Sequence, residues 1–259
     1  MENKVILMSI DGMRPDGFLQ CGHPFVKELM KISSYTLTAR TCVPSVTLPC
    51  HMSMFHGVAP DRHGILTNDY VPQVRPVRGL FEKVSAAKGV AAFFYGWEPL
   101  RDIGAPGTLK YAAYINAYKE DSADTLLTDR ALELLSTRDI DFCFLYQVDT
   151  DERGGHECGW MSQGYLDRIS IAIGNAQRMI EAFGDRYSIV ITADHGGHDR
   201  THGTELPEDM TIPMFFIGKG FEKGKELTDV SLLDIAPTVA DLLGLEPEPE
   251  WEGKSLARH

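Results

Sequence analysis

Three short apolar runs in this chain each end on an aspartate, and that pattern restricts the fold more than any other feature. Val5–Ile10 runs into Asp11-Gly12, Asp141–Val148 into Asp149 and Asp151, and Tyr187–Ala193 into Asp194-His195. Short apolar runs bounded by turn formers read as buried strands. Tyr35–Thr41, Val90–Tyr95 and Ile212–Ile217 add further strands. Between them lie stretches with helical spacing: Pro24–Ser33, Thr47–Phe55, Gly79–Lys88, Ser122–Ser136, Ser162–Phe183 and Ser231–Leu243. Strands alternating with helices predict an α/β fold with a mostly parallel central sheet covered on both faces. In such sheets the ligand site lies beyond the carboxyl ends of the strands. A single aspartate after a strand is an ordinary turn former. Three of them, from separated strands and with histidines attached, point to one shared site.

The 259 residues are enough for one large domain or two small ones. The reading adopted is a single domain over residues 1–259, with 96–121 as a small insertion at the substrate pocket. A hydrophobic fraction of 43% and a charged fraction of 24% are those of a globular chain. The net charge of −12 repels nucleic acid polymers and anionic membranes. No apolar run reaches the ~18–20 residues of a membrane helix, and the first residues lack a secretion-signal pattern. The five cysteines (Cys21, Cys42, Cys50, Cys143 and Cys158) form no regular framework, so they read as reduced thiols of a cytoplasmic protein. The oligomeric state stays open.

The histidines fall mainly into two groups. His51, His56 and His63 follow Thr47, whereas His156, His195, His198 and His202 follow the last two aspartate-bearing strands. Carboxylate oxygens mixed with imidazole nitrogens suit Zn2+ and related divalent ions. Three carboxylates and three histidines are enough for two ions, an arrangement that clamps the attacking and leaving oxygens of a phosphoryl transfer. A serine or threonine hydroxyl would then be the nucleophile. Thr47 also reads as a helix N-cap, and the two roles are compatible because a helix N-terminus favours anions.

Six segments in order carry a family resemblance. They are Asp11-Gly12-Met13-Arg14-Pro15-Asp16, Pro44-Ser45-Val46-Thr47-Leu48-Pro49-Cys50-His51 with Gly57 and His63-Gly64-Ile65, Asp151 to His156 with Gly159, Ala193-Asp194-His195-Gly196-Gly197 with Thr201-His202-Gly203, Leu233 to Thr238, and Gly253-Lys254-Ser255-Leu256. Together they resemble the alkaline phosphatase superfamily and, within it, the nucleotide pyrophosphatase/phosphodiesterase branch. The resemblance implies a three-layer α/β/α sandwich. It implies one ion held by Asp11, Asp194, His195 and the Thr47 oxygen, and another held by Asp151, His156 and His202. The ions would be Zn2+, with Mn2+ or Mg2+ as alternatives. Thr47 would attack phosphorus and pass through a phospho-threonine. The implied substrate is a small-molecule phosphate ester, a nucleotide-like phosphodiester or pyrophosphate.

The chain departs from the branch in three ways. The branch aspartate precedes its histidine by four residues, whereas here Asp151 lies five and Asp149 seven before His156. Asp151 is preferred, with a loop at Gly154-Gly155 absorbing the extra residue. Cys50 replaces a branch asparagine expected to donate to phosphate, and a thiol is a weak donor. The chain is also shorter than the branch enzymes. Cys50 and Trp97 are the substrate-contacting candidates. His198 reads as supporting the site rather than as a ligand, and His51 and His56 as structural hydrogen-bonders. Cys42-Val43-Pro44-Ser45 partly resembles a sulfatase motif, but Thr47 occupies the nucleophile position. A phosphomonoesterase is the main alternative, a phosphonate or sulfate ester hydrolase another, and an inactive metal-binding module the non-enzymatic one.

Overall fold

The computed structural model describes residues 3–258. Seven strands form one sheet in the order β2-β7-β6-β1-β5-β3-β4. They are β1 (Val5–Ile10), β2 (Ser34–Arg40), β3 (Ala91–Tyr95), β4 (Tyr111–Tyr114), β5 (Phe142–Gln147), β6 (Ser188–Thr192) and β7 (Thr211–Ile217). β1 pairs in parallel with β5 on one side and β6 on the other. β3 pairs in parallel with β5 and β4. β7 alone is reversed, antiparallel to both β6 and β2. The mostly parallel sheet expected from the sequence is therefore present, with one reversed strand.

Sequence explains why β1 and β5 lie at the centre. Every residue of VILMSI and of FCFLYQ is buried, so both faces of these strands are covered. Continuous apolar runs of this kind mark strands between two helical layers. Among the helices are α1 (Pro15–Gln20), α2 (Phe25–Ile32), α3 (Thr47–His56), α4 (Pro60–His63), α5 (Leu80–Ala86), α6 (Ala123–Thr137), α7 (Gln163–Phe183), α8 (Pro207–Met210) and α9 (Ile235–Leu242). The expected Ser231–Leu243 helix is a short 3₁₀ turn, Leu232–Asp234, followed by α9. α1, α4 and β4 carry no periodic signal because each is six residues or shorter. No helix among the described residues is long and apolar enough to cross a membrane.

The order β6-β1-β5 has a direct consequence for the site. These are the three strands that end on aspartates, and they are neighbours with the same direction. Asp11, Asp149, Asp151 and Asp194 thus leave the sheet side by side at one edge.

Candidate active site

Thr47 is the first residue of α3, and Val46 takes the N-cap position in extended conformation. The hydroxyl therefore caps nothing. It lies 3.2 Å from His195 Nε2. α3 is buried along its whole length and closes on Gly57 in the left-handed conformation. One turn on, the His51 ring bridges the Thr47 carbonyl (2.8 Å) and Ser9 Oγ (3.1 Å), tying α3 to β1.

Around Thr47 the three strand ends converge. His195 Nε2 lies 3.2 Å from Asp11 Oδ1 and 3.4 Å from Asp194 Oδ2. Asp151 Oδ2 lies 3.3 Å from His156 Nε2, and its Oδ1 lies 3.9 Å from His202 Nε2. Asp11, Asp194 and His195 form one ligand-type group, and Asp151, His202 and His195 form another. All seven residues expected to hold ions thus lie in one cluster. Asp149 does not join it, because its carboxylate faces Arg153 (3.3 Å) and Arg168 (3.4 Å).

Between β5 and α7 the chain forms a π-helical turn, Thr150–Cys158, rather than the glycine loop expected there. Its backbone contains an i→i+5 bond, Gly154 N to Asp149 O, of 2.9 Å. Such turns arise where a helix carries one extra residue and are common at functional sites. Asp151 and His156, five residues apart, meet because one turn of this helix takes one residue more than an α-turn.

Two observations fit divalent ions. Asp11 Oδ1, Asp151 Oδ1 and Asp194 Oδ2 are buried with no hydrogen-bond partner. Left so, buried carboxylates are costly, and ions at the two ligand groups would satisfy all three. The histidines supply the other half. His195 Nδ1 is 2.7 Å from Gly196 O, His202 Nδ1 2.8 Å from Ser45 O and His156 Nδ1 2.9 Å from Arg200 O. Each Nδ1–H donates to a backbone carbonyl, so Nε2 is the nitrogen left to bind an ion on the carboxylate side, the usual arrangement of a metal-binding histidine.

The electrostatics agree. Burial, then the Asp194 and Asp151 charges, push Asp11 well above the usual carboxylate range. Burial pushes Asp194 up to about 7. Burial and the adjacent His202 push His195 down to about 3, so its ring is neutral. Asp151 is buried too, which alone would raise it, but the hydrogen bond from His156 and the nearby imidazoles hold it below its usual value. The same hydrogen bond lifts His156 to about 9. Asp11 and Asp194, which resist ionisation beside the neutral His195, describe a site short of positive charge.

Several supporting residues carry no signal that marks them in the sequence. The Tyr146 hydroxyl, on β5, donates to Asp11 Oδ2. Trp160 Nε1 donates to Gly12 O at 3.0 Å, and its ring fills the space where a Cβ at Gly155 or Gly197 would lie. Gly12 itself (φ +64°) lets Asp151 approach, since a Cβ there would meet Asp151 Oδ1 at 2.9 Å. Asp209, fully buried, accepts from His198 (2.7 Å) and from Thr204 (2.8 Å), so it clamps the loop that carries His195 and His202. His198 is therefore a loop anchor. Loss of the Tyr146 hydroxyl would leave Asp11 without its donor. Tyr146→Phe is expected to weaken zinc affinity by ~10–100-fold, measured by chelator competition; unchanged affinity would mean that Asp11 is oriented without it.

A cavity of about 100 Å³ opens over Thr47 and is lined by Asp11, Thr47, Asn68, Trp97, Tyr118, Tyr146, Val148, Asp151, Glu152, His156 and His202. Trp97 thus lines it, as the sequence suggested. Cys50 does not. It is fully buried, with Sγ 3.3 Å from Thr41 Oγ1 and facing the Pro44 carbonyl, because position 50 turns into the core on the far side of α3. Asn68 is the amide at the cavity instead. Its Oδ1 accepts from Leu48 N at 3.0 Å, which turns the NH₂ away from α3.

Comparison with known proteins bears on this arrangement. Residues 5–206 match the profile of the type I phosphodiesterase / nucleotide pyrophosphatase family. Among curated proteins, ectonucleotide pyrophosphatase/phosphodiesterase family member 3 of Bos taurus is 25% identical over 78% of this chain and 26% of its own length. A 2,3-bisphosphoglycerate-independent phosphoglycerate mutase of Clostridioides difficile (strain 630) is 30% identical over 50% of this chain and 26% of its own. The chain thus spans about a quarter of the curated relatives it matches. Among solved structures, murine ectonucleotide pyrophosphatase/phosphodiesterase 5, an inactive form in complex with AMP, superposes with a TM-score of 0.80 at 15% identity, over 96% of each chain. A phosphonate monoester hydrolase from Silicibacter pomeroyi gives 0.76 at 16% identity, over 98% of this chain and 76% of that one. These neighbours share the alkaline phosphatase-like fold. With the profile running from β1 through the His202 loop, the chain belongs to the type I phosphodiesterase/nucleotide pyrophosphatase family within the alkaline phosphatase superfamily.

Proposed function

We propose that this protein is a two-metal phosphodiesterase in which Thr47 is the nucleophile. The observation that carries the reading is the position of the Thr47 hydroxyl, uncommitted to helix capping and 3.2 Å from His195 Nε2, at the floor of the cavity between both ligand groups. One group, Asp11, Asp194, His195 and Thr47, would hold one ion, and Asp151, His156 and His202 the other. Zn2+ suits this mixture of imidazole and carboxylate, with Mn2+ or Mg2+ as substitutes. When bound, the ions supply the positive charge that the buried carboxylates require and that lowers the pKa of hydroxyl and water.

The chain's own residues do the rest. Thr47 Oγ1 forms a bond to phosphorus as the bond to the leaving oxygen breaks. The Thr47 proton passes to solvent, and the leaving alcohol takes one up. Water then attacks the phospho-threonine, the threonine–phosphorus bond breaks, and Thr47 regains its proton. The start of α3 points at this phosphate, where helix N-termini favour anions. The Asn68 amide lines the same cavity and takes the part expected of Cys50. The cytoplasmic assignment, resting on free cysteines, belongs to this proposal as well.

Diesters are preferred over monoesters on charge. None of the cavity residues is Lys or Arg. A monoester approaches two negative charges near neutral pH, a diester one. The enclosed volume of about 100 Å³ suits phosphate with a small substituent, so a nucleoside would have to extend over Trp97 and Tyr118. With Zn2+ restored, a bis-aryl phosphate is expected to turn over at least about tenfold faster than the aryl monophosphate. The opposite order would make the protein a monoesterase.

A further inference from the structure

The group Asp11, Asp194 and His195 is drawn from two loops alone. Asp11 stands on the loop after β1, and Asp194 and His195 stand on the loop after β6. One bond joins these loops inside the site, with Gly12 N donating to Asp194 Oδ1 at 3.2 Å. A second joins them from outside, and neither Thr47 nor any ion ligand takes part in it. Arg14 Nη1 donates to Gly197 O at 3.0 Å.

Both ends of this outer strut are held. Arg14 Nε and Nη2 donate to Asp16 Oδ1 (2.9 Å) and Oδ2 (2.6 Å), which sets the plane of the guanidinium. Asp16 Oδ1 also accepts from Gly17 N at 2.9 Å, in the first turn of α1. Arg14 N donates to the Tyr165 hydroxyl at 2.8 Å, and that hydroxyl donates to Gly12 O at 2.8 Å, so α7 steadies the same loop. At the other end, Gly196 N donates to Asp209 O at 2.8 Å and Gly197 N to Glu208 O at 2.9 Å. The two glycines are thus gripped between the backbone of α8 and Arg14. A Cβ at Gly196 would lie 2.0 Å from Glu208 O and 3.2 Å from Arg14 Cγ, so the grip has no slack. The Gly196 carbonyl held there is the one to which His195 Nδ1–H donates at 2.7 Å. The position of the loop therefore becomes the direction of the His195 ring.

Arginine suits this place for a stated reason. Its planar fork meets a carboxylate with two donors and has a third left for a carbonyl, whereas the compact lysine ammonium is a single point charge. Arg14 is not a free cation that could take up a substrate anion, because Asp16 and the neighbouring Glu208 already balance it. Its remaining donor faces inward, toward the ligand loop.

From this geometry we infer that Arg14 is a positioning residue for the ion of Asp11, Asp194 and His195. It holds the two loops at the separation at which their ligands meet one ion. The inference rests on the two-metal reading above and adds to it a residue that touches neither ion nor substrate.

The test is zinc binding, read by competition with a chromophoric chelator, in the wild-type protein, Arg14→Lys and Arg14→Ala. Arg14→Lys keeps the charge and most of the stem, so its metal-free form should melt close to the wild type. Affinity for the Asp11 ion is expected to fall ~10–100-fold, the scale for losing an outer partner of a metal ligand. Affinity for the ion of Asp151, His156 and His202 should change far less. Repeating the lysine change in an Asp151→Asn background, where the Asp11 group stands alone, assigns the loss. In the cobalt-loaded protein the visible absorption of that ion should shift, which a general loss of stability would not cause. A cavity of about 270 Å³ beside Arg14, bounded by Asp16, Leu37, Pro207 and Glu208, leaves room for a small cation. Low-millimolar guanidinium should therefore recover part of the lost affinity in Arg14→Ala and change nothing in the wild type; no recovery would count against the inference. Unchanged affinities in both variants, or an equal loss at both sites, would overturn the inference and leave the two-metal reading intact. A wild-type protein that binds no zinc would overturn both.

Discussion

Thr47→Ala is expected to lower phosphodiester turnover by on the order of 10⁴-fold or more, the scale at which loss of a nucleophile leaves only binding and electrostatics. The change removes one hydroxyl from the first turn of α3 and no hydrogen bond that holds the fold. The variant should therefore melt near the wild-type temperature. Its metal content should also be close to two ions, since Asp11, Asp194 and His195 remain. Rapid quenching of the wild-type reaction should trap on Thr47 the phosphoryl group with its remaining ester substituent, and the variant should trap none. Turnover within about tenfold of wild type would remove Thr47 from the chemistry and move attention to a directly attacking water.

Metal removal should change not only stability but its pH dependence. In the metal-free protein Asp194 ionises at about 7 because of burial, against 3.8 unfolded. Asp11 is raised well above its usual value by burial and by Asp194, and Asp124 is pushed up to about 7 by burial and by Asp149. Each holds a proton in the fold that the unfolded chain has lost, so each subtracts stability as pH rises toward its folded pKa. His156, raised to about 9 by Asp151, acts in the same sense from its unfolded value of 6.5 upward. His51, His63 and His195, all lowered by burial, have the opposite effect, but only below pH 6.5. The window from pH 6.5 to 9 is therefore one of steady loss for the metal-free protein. Bound ions need Asp11 and Asp194 ionised and His156 neutral, so the loaded protein escapes their share of that loss, whereas Asp124, outside both ligand groups, contributes equally with and without ions. The gap between the melting temperatures with zinc and with chelator should widen by ~3–5 °C per pH unit for each proton involved. Parallel curves over this window would mean that these groups do not bind the ions.

Much of this site was legible because a parallel strand aims the residue at its carboxyl end. The runs ending at Asp11, Asp151 and Asp194 are apolar on both faces, so their place in the sheet, and hence the meeting of their aspartates, follows from pattern alone. Thr47 and His202 were legible through motif order. The remainder depends on packing that no local pattern encodes. Gly154-Gly155 reads as a loop, yet Gly155, like Gly197, is small because Trp160 occupies the space beside it. Spacing aligns Cys50 with a functional asparagine, but the side chain's direction is set by the turn of α3 against the core, and it faces Thr41. Asn68 lies in a loop 20 residues beyond Leu48, and its bond from Leu48 N holds it at the cavity. Tyr146 acts through a hydrogen bond to Asp11, far off in sequence, and Asp209 through bonds from His198 and Thr204 that no local pattern marks.

The π-helical turn at Thr150–Cys158 bears on how members of this family are found and altered. Because that turn absorbs an added residue while β5 and α7 keep their places, the interval between these two ligands is elastic in sequence and rigid in space. A pattern search that fixes the interval at four residues would pass over this chain, and one that counts helical turns would not. The same elasticity makes the interval a place where length can change by one residue, in evolution or by design, without moving the carboxylate from the imidazole. Excising Gly154 would test that tolerance more directly than any point substitution, since success would show an α-turn serving the same pair.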